Sequence, residues 1–478
     1  MLLKSVLSGI TQDQELTERS TSFAFNVPSI GTITCTRILR TIQSKRVTCL
    51  GESGNHRVLV KLFFHSRRAK NHWQRSDKGC RIFTERSIIA PKIIYSGYLS
   101  EHKIYVIVFE YIENAVHFGK ALASTPNEVQ RQELLDRIIG CLAMHHQQGI
   151  IQDDLHMGNF LLRGKEIYSL DGDHVRSYRP PLGKCRSLAN LGKLLSLTHF
   201  FPINEATVKE KYQIYCSARE WHVAEKDIRR LVYLSKRILK RRSARSMRKV
   251  YRHGSTFSVC KKQDYYSIRN LNAWNDKFKL VFDDPERIIT ESDGEQSDGT
   301  HKYHLSIDTS PIILYSARVL GIRFLRRFGI IYQIWRNALR LNRLKIHTLR
   351  PIALIEKRES PIIWRAFLIV ESCEGILARE FFTSDSVPSS DKYIVAERIA
   401  KALLAMKQTG IAIRGVSSSN ILVLDLEPVF LDVVQLNRRA FYNRSSVPKG
   451  VREFLRGWDD EPTIRTLFLE RFRQLQLI

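Results

Sequence analysis

Two stretches of this chain share one pattern of residues, and such a repeat limits the fold more than any other feature of the sequence. The first stretch runs from Met144 to Asp173 and the second from Met406 to Asp432. Each contains a glycine, an asparagine ten residues after that glycine and an aspartate twenty-two residues after it. The simplest explanation is a duplicated folding unit.

The two copies differ in a carboxylate that could do chemistry. Asn159 and Asp171 of the first copy have counterparts of the same residue type in the second copy. Asp154 has no such counterpart, because Gly415 stands at its position. The pattern therefore predicts one copy that is able to catalyse a reaction and one that has lost this capacity.

The length of the chain, 478 residues, exceeds the size at which one hydrophobic core normally stops growing. Two domains are therefore expected, and the repeat places the division near the middle, giving residues 1–250 and 251–478. Hydrophobic residues make up 43% of the sequence and charged residues 26%, so each half can bury a core of its own. A wholly disordered chain is excluded.

The sequence is strongly basic: 76 lysines and arginines against 48 acidic residues give a formal net charge of +28. Such a charge requires an anionic environment or partner, such as nucleic acid, acidic lipid headgroups or a phosphorylated substrate. Nucleic acid is the least favoured, because the sequence has no recognition motif and no platform of aromatic and basic residues. The densest basic segment, Lys236–Lys249, is interpreted as a solvated helix end rather than as a dedicated patch for phosphates or lipid headgroups.

The eight cysteines are scattered without a CxxC pair, which favours reduced thiols in a cytosolic compartment. Histidines are equally dispersed, so a structural zinc site is not expected. The apolar run at the N-terminus is too short and too interrupted for a signal peptide, and no uncharged apolar stretch approaches the ~20 residues that span a bilayer. Any contact with a membrane is therefore expected to be peripheral.

Hydrophobic patterns predict a β-rich segment followed by an α-rich segment in the first half. Strands are expected at residues 36–42, 46–50, 57–64, 92–95 and 104–110, with a helix at 67–86. Helical periodicity precedes the repeat and resumes from 188 to about 242, with short strands at 160–162 and 167–170 between. A small β-rich lobe beside a larger α-rich lobe is an α+β architecture with a cleft.

The second half repeats this order. After a strand-rich start near Phe257, we expect an exposed loop at 291–299, a strand at 311–315, a helix at 318–343, a strand at 366–370 and a helix at 392–406. The two halves are therefore predicted to share one fold.

Phosphoryl transfer needs cations that hold a nucleotide, oxygen ligands for Mg²⁺, and an acceptor for the proton of the substrate hydroxyl. Asp154 and Asn159 lie five residues apart on one loop, so a base and a metal-binding amide can face one cleft. Asp171 follows an apolar strand and offers a hard oxygen ligand to Mg²⁺. Lys61 lies inside the apolar strand Val58–Phe63, where a charge usually has a partner, here a nucleotide phosphate.

Simpler interpretations exist for some of these residues. Asp154, Asn159 and Asp171, taken singly, are typical of turns and caps, although their combined spacing favours a catalytic loop. His156 suits either an orienting role beneath the catalytic residues or a purely structural one. Asp173 is expected to cap a turn rather than to bind metal.

At these positions the chain resembles the protein-kinase-like superfamily, and in particular the lipopolysaccharide core kinases of Gram-negative bacteria, namely the Kdo kinase, WaaP-type heptose kinase and InaA-like group. The residues that carry the resemblance are 152–162, 170–173 and 186–195 in the first half, and 335–338 and 348–357 in the second. The resemblance covers most of the chain as two copies. It implies two tandem bilobal kinase-like domains, of which the second is degenerate.

The resemblance also implies an ATP-dependent kinase that uses Mg²⁺. Its site residues would be Asp154 as catalytic base, Asn159 and Asp171 as Mg²⁺ ligands, Lys61 as a catalytic, phosphate-binding lysine, and Glu110 and Ile112 as further nucleotide-binding residues. The implied acceptor is a heptose or Kdo hydroxyl of the lipopolysaccharide inner core, or a lipid-linked sugar. A cytoplasmic enzyme, peripheral on the inner face of the inner membrane, agrees with the positive charge.

The first half departs from the kinase pattern in three ways. Gln152 stands where protein kinases have the histidine of their His-Arg-Asp motif. No Gly-x-Gly-x-x-Gly motif lies between the first two strands, so the phosphates must be covered by another arrangement. The helix carboxylate expected to pair with Lys61 falls at or near Ser76, which makes Asp77 the first candidate and Glu85 the second.

The second copy has lost more than the base. No lysine occurs between Lys302 and Lys345, and no acidic residue occurs between Asp308 and Glu356, so both members of the lysine–carboxylate pair are missing. We therefore interpret the second domain as a pseudokinase.

Two alternatives to a lipopolysaccharide kinase stay open. One is a protein or small-molecule kinase, because the loop Asp154–Asn159 also looks like that of aminoglycoside phosphotransferases. The other is a scaffold without catalytic activity at the membrane surface, which the degenerate copy and the missing glycine loop suggest. The acceptor hydroxyl and the oligomeric state are left open.

Overall fold

The computed structural model describes residues 22–42, 45–64, 67–197, 200–201, 203–254, 256–297, 300–320, 329–409, 411, 416–431, 433, 446–475 and 477. Over these residues the protein has a mixed α/β architecture and divides into two compact units, Met1–Ser235 and Lys236–Ile478. The point of division lies inside one helix, Glu225–Lys249. The domain limits 1–250 and 251–478 stay a prediction.

The first unit begins with a six-stranded antiparallel sheet of order β1-β2-β3-β4-β6-β5. The strands are β1 Phe23–Val27, β2 Gly31–Ile42, β3 Arg46–Ser53, β4 His56–Phe63, β5 Ile93–Leu99 and β6 Ile104–Glu110, and helix α1, Ala69–Glu85, lies between β4 and β5 in the chain. Alternate residues of β3 and β4 are buried in an apolar core, which includes Val47, Cys49, Val58 and Val60. The residues between them therefore face the opposite side of the sheet.

Short strands and helices form the rest of the first unit. In chain order they are β7 Val116–His117, α2 Phe118–Ser124, α3 Glu128–Gln147, β8 Ile150–Gln152, β9 Phe160–Arg163, β10 Glu166–Ser169, β11 Val175–Ser177, α4 Lys184–Leu195, α5 Glu205–Arg219 and α6 Glu225–Lys249. Asn127 begins α3, since its side chain accepts hydrogen bonds from the amides of Val129 and Gln130. The helices share a core that includes Leu142, Leu191 and Tyr212.

The predicted elements of this unit are confirmed in type but not in every limit. Strand β6 has the predicted limits, whereas β1 was not predicted. The helical periodicity predicted from 188 to about 242 corresponds to three separate helices, α4, α5 and α6. Helix α5 ends at Arg219, because the next residue, Glu220, has a left-handed backbone with φ +52° that cannot continue a helix.

The second unit contains a seven-stranded sheet of order β12-β13-β17-β18-β16-β15-β14. Its first elements are β12 Phe257–Lys261, β13 Tyr265–Asn270, α7 Lys279–Asp283, α8 Pro285–Thr290, β14 Gly294–Ser297, β15 Thr300–Ile307, β16 Ser310–Leu320, α9 Ile330–Arg343, β17 Arg350–Arg358 and β18 Ile363–Glu371. They are followed by β19 Ile376–Leu377, α10 Ala378–Thr383, α11 Ser389–Thr409, β20 Ile421–Leu424, β21 Glu427–Phe430, α12 Ser446–Arg456 and α13 Pro462–Gln474. Among the described residues, no helix is long and apolar enough to span a bilayer.

Two expectations for the second half are wrong. The segment predicted as an exposed loop at 291–299 contains β14, whose backbone pairs with β15 despite its polar sequence. The helix predicted from Arg318 does not begin there, because Arg318 lies in β16 opposite Arg365 of β18; residues 321–328 lie outside the described residues, and α9 covers the end of the predicted range. Pairing with neighbouring strands determines both outcomes, and a local pattern of residues does not reveal such pairing.

The order of elements in the repeat is the same in both units. A 3-10 turn at Met157–Asn159 precedes β9 and β10, and a 3-10 turn at Ser418–Asn420, which begins 261 positions later, precedes β20 and β21. The Asn159 carbonyl accepts a hydrogen bond from the amide of Leu170 at 2.8 Å, and the Asn420 carbonyl accepts one from Leu431 at 2.9 Å. That both units are kinase-like domains stays a prediction.

Candidate active site

A cleft of about 560 Å³ lies in the first unit, on the face of the six-stranded sheet opposite the apolar core. Its walls come from β2, β3, β4, helix α1, the segment after β6 and the loops that flank β9 and β10. Of the residues proposed from the sequence, this cleft is lined by Lys61, Glu110, Ile112, Asn159 and Asp171. A volume of this size is typical of small-molecule and cofactor sites.

Lys61 lies in the middle of β4, opposite Thr48 of β3 and Ile107 of β6. Its neighbours Val60 and Leu62 face the core, so the lysine faces the cleft. The ammonium group is 3.4 Å from Oδ1 of Asp171, and both side chains are largely buried. Residues 110 positions apart in sequence thus form one ion pair at the end of the cleft.

Arg46 is a second cation at the same place, and sequence reasoning missed it. Its guanidinium lies 2.6 Å from the Asp173 carboxylate and 3.9 Å from that of Asp171. Asp173, which was expected only to cap a turn, is therefore an ion-pair partner. Burial raises the pKa of Asp171, but the attraction of Lys61 and Arg46 outweighs burial and holds that pKa below its usual value.

The carboxylate expected from helix α1 is not the partner of Lys61. Asp77 forms an ion pair with Arg81 at 2.8 Å, and within the described residues neither Asp77 nor Glu85 reaches Lys61. Helix α1 borders the cleft through Cys80 and Phe83 instead, and through neither carboxylate. A Cβ atom on Gly79 would lie 1.8 Å from the carbonyl oxygen of Gly172, so the helix touches the turn directly after Asp171.

The loop that carries Asp154 is fixed from below by buried hydrogen bonds. Gln152 is fully buried, and its side-chain amide donates to the carbonyl of Leu170 at 2.8 Å. The Asn190 amide donates to the Gln152 carbonyl at 3.1 Å. His146 is hydrogen-bonded through its ring nitrogens to the Asn190 side chain at 3.0 Å and to the Tyr215 hydroxyl at 2.7 Å. Gln152 therefore supports the loop where protein kinases have a histidine.

Asp154 and Asn159 lie at the start and end of this loop. The Asn159 amide donates to the backbone carbonyl of Asp154 at 2.8 Å, which closes the turn between them. Because the nitrogen of Asn159 is used in this bond, its Oδ1 atom is the one suited to a cation. The Asp154 carboxylate is 56% exposed and lies 3.7 Å from the imidazole of His156, so an acceptor can reach it from solvent.

A further pair of cations holds the neighbouring aspartate. The Lys193 ammonium donates to the backbone and side-chain oxygens of Asp153 at 2.8 and 3.1 Å. Arg176 lies 2.6 Å from the same carboxylate. Asp153 is thereby fixed by two cations, which leaves Asp154 as the solvent-facing carboxylate of the loop.

The other end of the cleft is formed by the segment after β6. The Glu110 carboxylate accepts a hydrogen bond from the amide of Lys92 at 2.8 Å, so it fixes the start of β5. Ile112 is buried, and the guanidinium of Arg57 lies over the ring of Tyr111 at 4.4 Å from its centroid. Ile112 and the ring of Tyr111 give this end its apolar surface, so we call it the apolar end, and the end at Lys61 and Asp171 the charged end.

The residues present suit a magnesium nucleotide. Mg²⁺ is usually bound in proteins by one or two carboxylates together with substrate phosphates. The Asp171 carboxylate and the Asn159 amide oxygen are such a sparse donor set, and the described residues contain no cluster of three or more His, Cys, Asp or Glu side chains for a metal. The apolar end suits a base, and the cations suit phosphates.

In the second unit the turn at Ser418–Asn420 is described, but the positions that decide its chemistry are not. Gly410, Gly415 and Asp432 lie outside the described residues. The interpretation of this unit as a pseudokinase therefore stays a prediction from its sequence.

Solved structures that are similar to this chain include protein kinase domains. WaaP, solved in complex with acyl carrier protein, is 15% identical, with a TM-score of 0.33 over 43% of this chain and 87% of that one. The PknI kinase domain from Mycobacterium tuberculosis is 15% identical, with a TM-score of 0.26 over 37% and 78%. The BubR1 kinase domain is 16% identical, with a TM-score of 0.27 over 37% and 60%. No protein-family model and no curated protein matches the sequence.

Proposed function

We propose that the first unit is an ATP-dependent phosphotransferase that acts on a hydroxyl group. The observation that carries this proposal is the position of Lys61, Asn159 and Asp171 in the lining of one cleft, with Asp154 on the adjoining loop. These are the groups that phosphoryl transfer requires, namely a cation for phosphates, oxygen ligands for Mg²⁺ and a proton acceptor. Two of them, Lys61 and Asp171, form an ion pair although they lie 110 residues apart in the chain.

Each residue has a defined role in this proposal. Lys61 binds the nucleotide phosphates, and Asp171 and Asn159 hold the metal through oxygen atoms. When bound, Mg²⁺ would neutralise charge on the phosphates. Asp154 accepts the proton of the acceptor hydroxyl, a role that its exposed carboxylate can fill without moving the buried loop. The hydrogen bonds of Gln152 keep that carboxylate in place.

The acceptor that we propose is a heptose or Kdo sugar of the lipopolysaccharide inner core, or a lipid-linked sugar. Support comes from the resemblance of residues 152–173 to the lipopolysaccharide core kinases and from the net charge of +28, which suits an anionic substrate. The same charge suits a peripheral position on the inner face of the inner membrane. The second unit, in this proposal, is a pseudokinase domain.

The test is a transfer assay with the full chain, Mg·ATP and deacylated core oligosaccharide. Asp154→Asn should lower kcat by about 100-fold to 10,000-fold and leave the Kd for ATP unchanged, because the side chain lies outside the nucleotide cleft. Asp153→Asn is the matched control, since it changes the neighbouring carboxylate, which is paired with Lys193 and Arg176 and has no role in transfer in this proposal. A loss below about tenfold for Asp154→Asn would refute its role as the base.

The choice of acceptor is tested separately. The same assay with a protein or aminoglycoside acceptor distinguishes the other kinase classes. ATP binding without transfer to any of these acceptors would favour the scaffold hypothesis. One observation agrees with a scaffold: Arg46 and Lys61 both pair with Asp171, the carboxylate that a metal would need.

A further inference from the structure

The wall of the cleft opposite helix α1 is lined by arginines that the roles above do not use. Arg37 and Arg40, both exposed, come from β2, and they line the cleft together with Arg46 and Lys61. No Gly-x-Gly-x-x-Gly motif is present near these strands, so another group must cover the phosphates of a bound nucleotide.

An irregularity in β2 places both arginines on the cleft side. In a regular strand, residues three apart point to opposite faces. The pairing of β2 with β3 shifts between Ile38 and Arg40, which makes Leu39 an extra residue. As a result Arg37 lies opposite Leu50 and Arg40 lies opposite Thr48. Leu50 and Thr48 both line the cleft, so the two guanidinium groups share that side.

The register of the sheet shows where along the cleft each arginine lies. Arg40, Thr48 and Lys61 lie in one row across β2, β3 and β4. Neighbouring strands are about 4.8 Å apart, so the Cα atoms of Arg40 and Lys61 are separated by ~10 Å. A phosphate chain between them lies within reach of both side chains. Arg37 is one step nearer the apolar end, in the row of Leu50 and Leu59.

The charges on this wall are not balanced within the protein. Lys61 and Arg46 face Asp171 and Asp173, but in the described part of the first unit no acidic side chain lies within ion-pair distance of Arg37 or Arg40. Two cations directed into a cleft without a carboxylate partner are suited to an anionic ligand. Guanidinium groups bind phosphate oxygens with two parallel hydrogen bonds.

We propose that Arg37 and Arg40 hold the phosphates of the nucleotide from the β2 side of the cleft and take the place of a glycine-rich backbone loop. This inference rests on the proposed function, because it assumes that the cleft binds a nucleotide. The ligand proposed for the two arginines is the phosphate chain of the nucleotide and not an anionic acceptor.

The test is isothermal titration of the full chain with ATP, ADP and adenosine. Arg40→Gln should weaken ATP and ADP binding about tenfold, which corresponds to one charge-assisted hydrogen bond at an exposed site, and Arg37→Gln should weaken them by less. Adenosine binding should change by less than about twofold, since adenosine has no phosphate. Arg40→Lys should restore part of the affinity because it keeps the charge.

Arg75→Gln is the control variant, since it removes the same charge from an exposed position of α1 that does not line the cleft. The circular dichroism spectrum and melting temperature of each variant show whether the fold is kept, which is expected because the replaced side chains are exposed.

The outcomes separate the two proposals. If the wild-type chain binds no nucleotide, the proposed function fails. If it binds ATP and neither arginine variant weakens ATP or ADP, the function stands and this inference is overturned. If the variants raise the KM of the acceptor and leave nucleotide binding unchanged, the arginines bind the acceptor and the inference is likewise overturned.

Discussion

Acidification should destabilise the first unit through two buried histidines beneath the candidate catalytic loop. Burial lowers the pKa of His145 to about 4 and that of His146 to about 3. In the unfolded chain both have a pKa of about 6.5. The unfolded state therefore binds more protons than the folded state, and stability is full above pH 6.5 and is lost as the pH falls towards 4.

The size of the effect follows from the two pKa values. Between about pH 7.5 and pH 5 each histidine should lower the free energy of unfolding by about 2 kcal/mol, so the pair contributes about 4 kcal/mol. His146 is hydrogen-bonded to Asn190, which in turn donates to the Gln152 carbonyl. Acid should therefore loosen the loop of Asp154 as it destabilises the unit.

Urea unfolding of fluorotryptophan-labelled protein, followed by fluorine NMR, can report on this region alone. Trp221 packs edge-on against Tyr215, the hydrogen-bond partner of His146, and its resonance is assigned with Trp221→Phe. His146→Gln removes one titrating group, so the stability difference between wild type and variant should shrink by about 2 kcal/mol from pH 7.5 to pH 5. A difference that is independent of pH would refute the argument. If the variant does not fold, the pH dependence of the wild-type Trp221 signal carries the test.

Three further outcomes are expected. Gly79→Ala should destabilise the first unit by about 3 kcal/mol, because the new Cβ would overlap the backbone of Gly172. Gly140→Ala, whose new Cβ would meet open space on a helix, should stabilise the unit by about 0.5 to 1 kcal/mol, and equal melting temperatures of the two variants would contradict this reasoning. Gln152→Leu should lower kcat far more than ATP affinity, since it removes a loop support and no cleft contact, and steady-state kinetics with titration calorimetry test this. Lys61→Met should weaken ATP binding by at least about tenfold in the same calorimetry, and an unchanged Kd would exclude Lys61 from the nucleotide site.

Local patterns of residues were enough to predict much of the first unit. The apolar residues of Val58–Phe63 identified β4 and singled out Lys61 as a charge inside that strand, and the structure brings this lysine to Asp171 as an ion-pair partner in the cleft. Period-2 alternation and short-range spacing are set by the backbone itself, so they can be read from sequence. The roles of these residues in transfer stay predictions.

Contacts between residues that are far apart in the chain could not be predicted from local patterns. Arg46 begins a strand and looks like a solvated cation, yet it meets Asp173, which is 127 residues away. The shift in β2 that turns Arg40 into the cleft depends on its register with β3, and register is set by the partner strand as well as by the strand itself. The expected carboxylate of α1 failed for a related reason, since the orientation of the helix is set by the packing of Gly79 on Gly172, and the side chains that it presents to the cleft are Cys80 and Phe83.

The contact between Gly79 and Gly172 limits how this protein can be regulated. With no side chain between the two backbones, we expect helix α1 and the turn that carries Asp171 to move together. A partner that displaced the helix would also carry the carboxylate away from the cleft. By thermodynamic linkage the reverse holds as well, so a ligand that fixes Asp171 would fix the helix and would change the affinity of such a partner by the same factor.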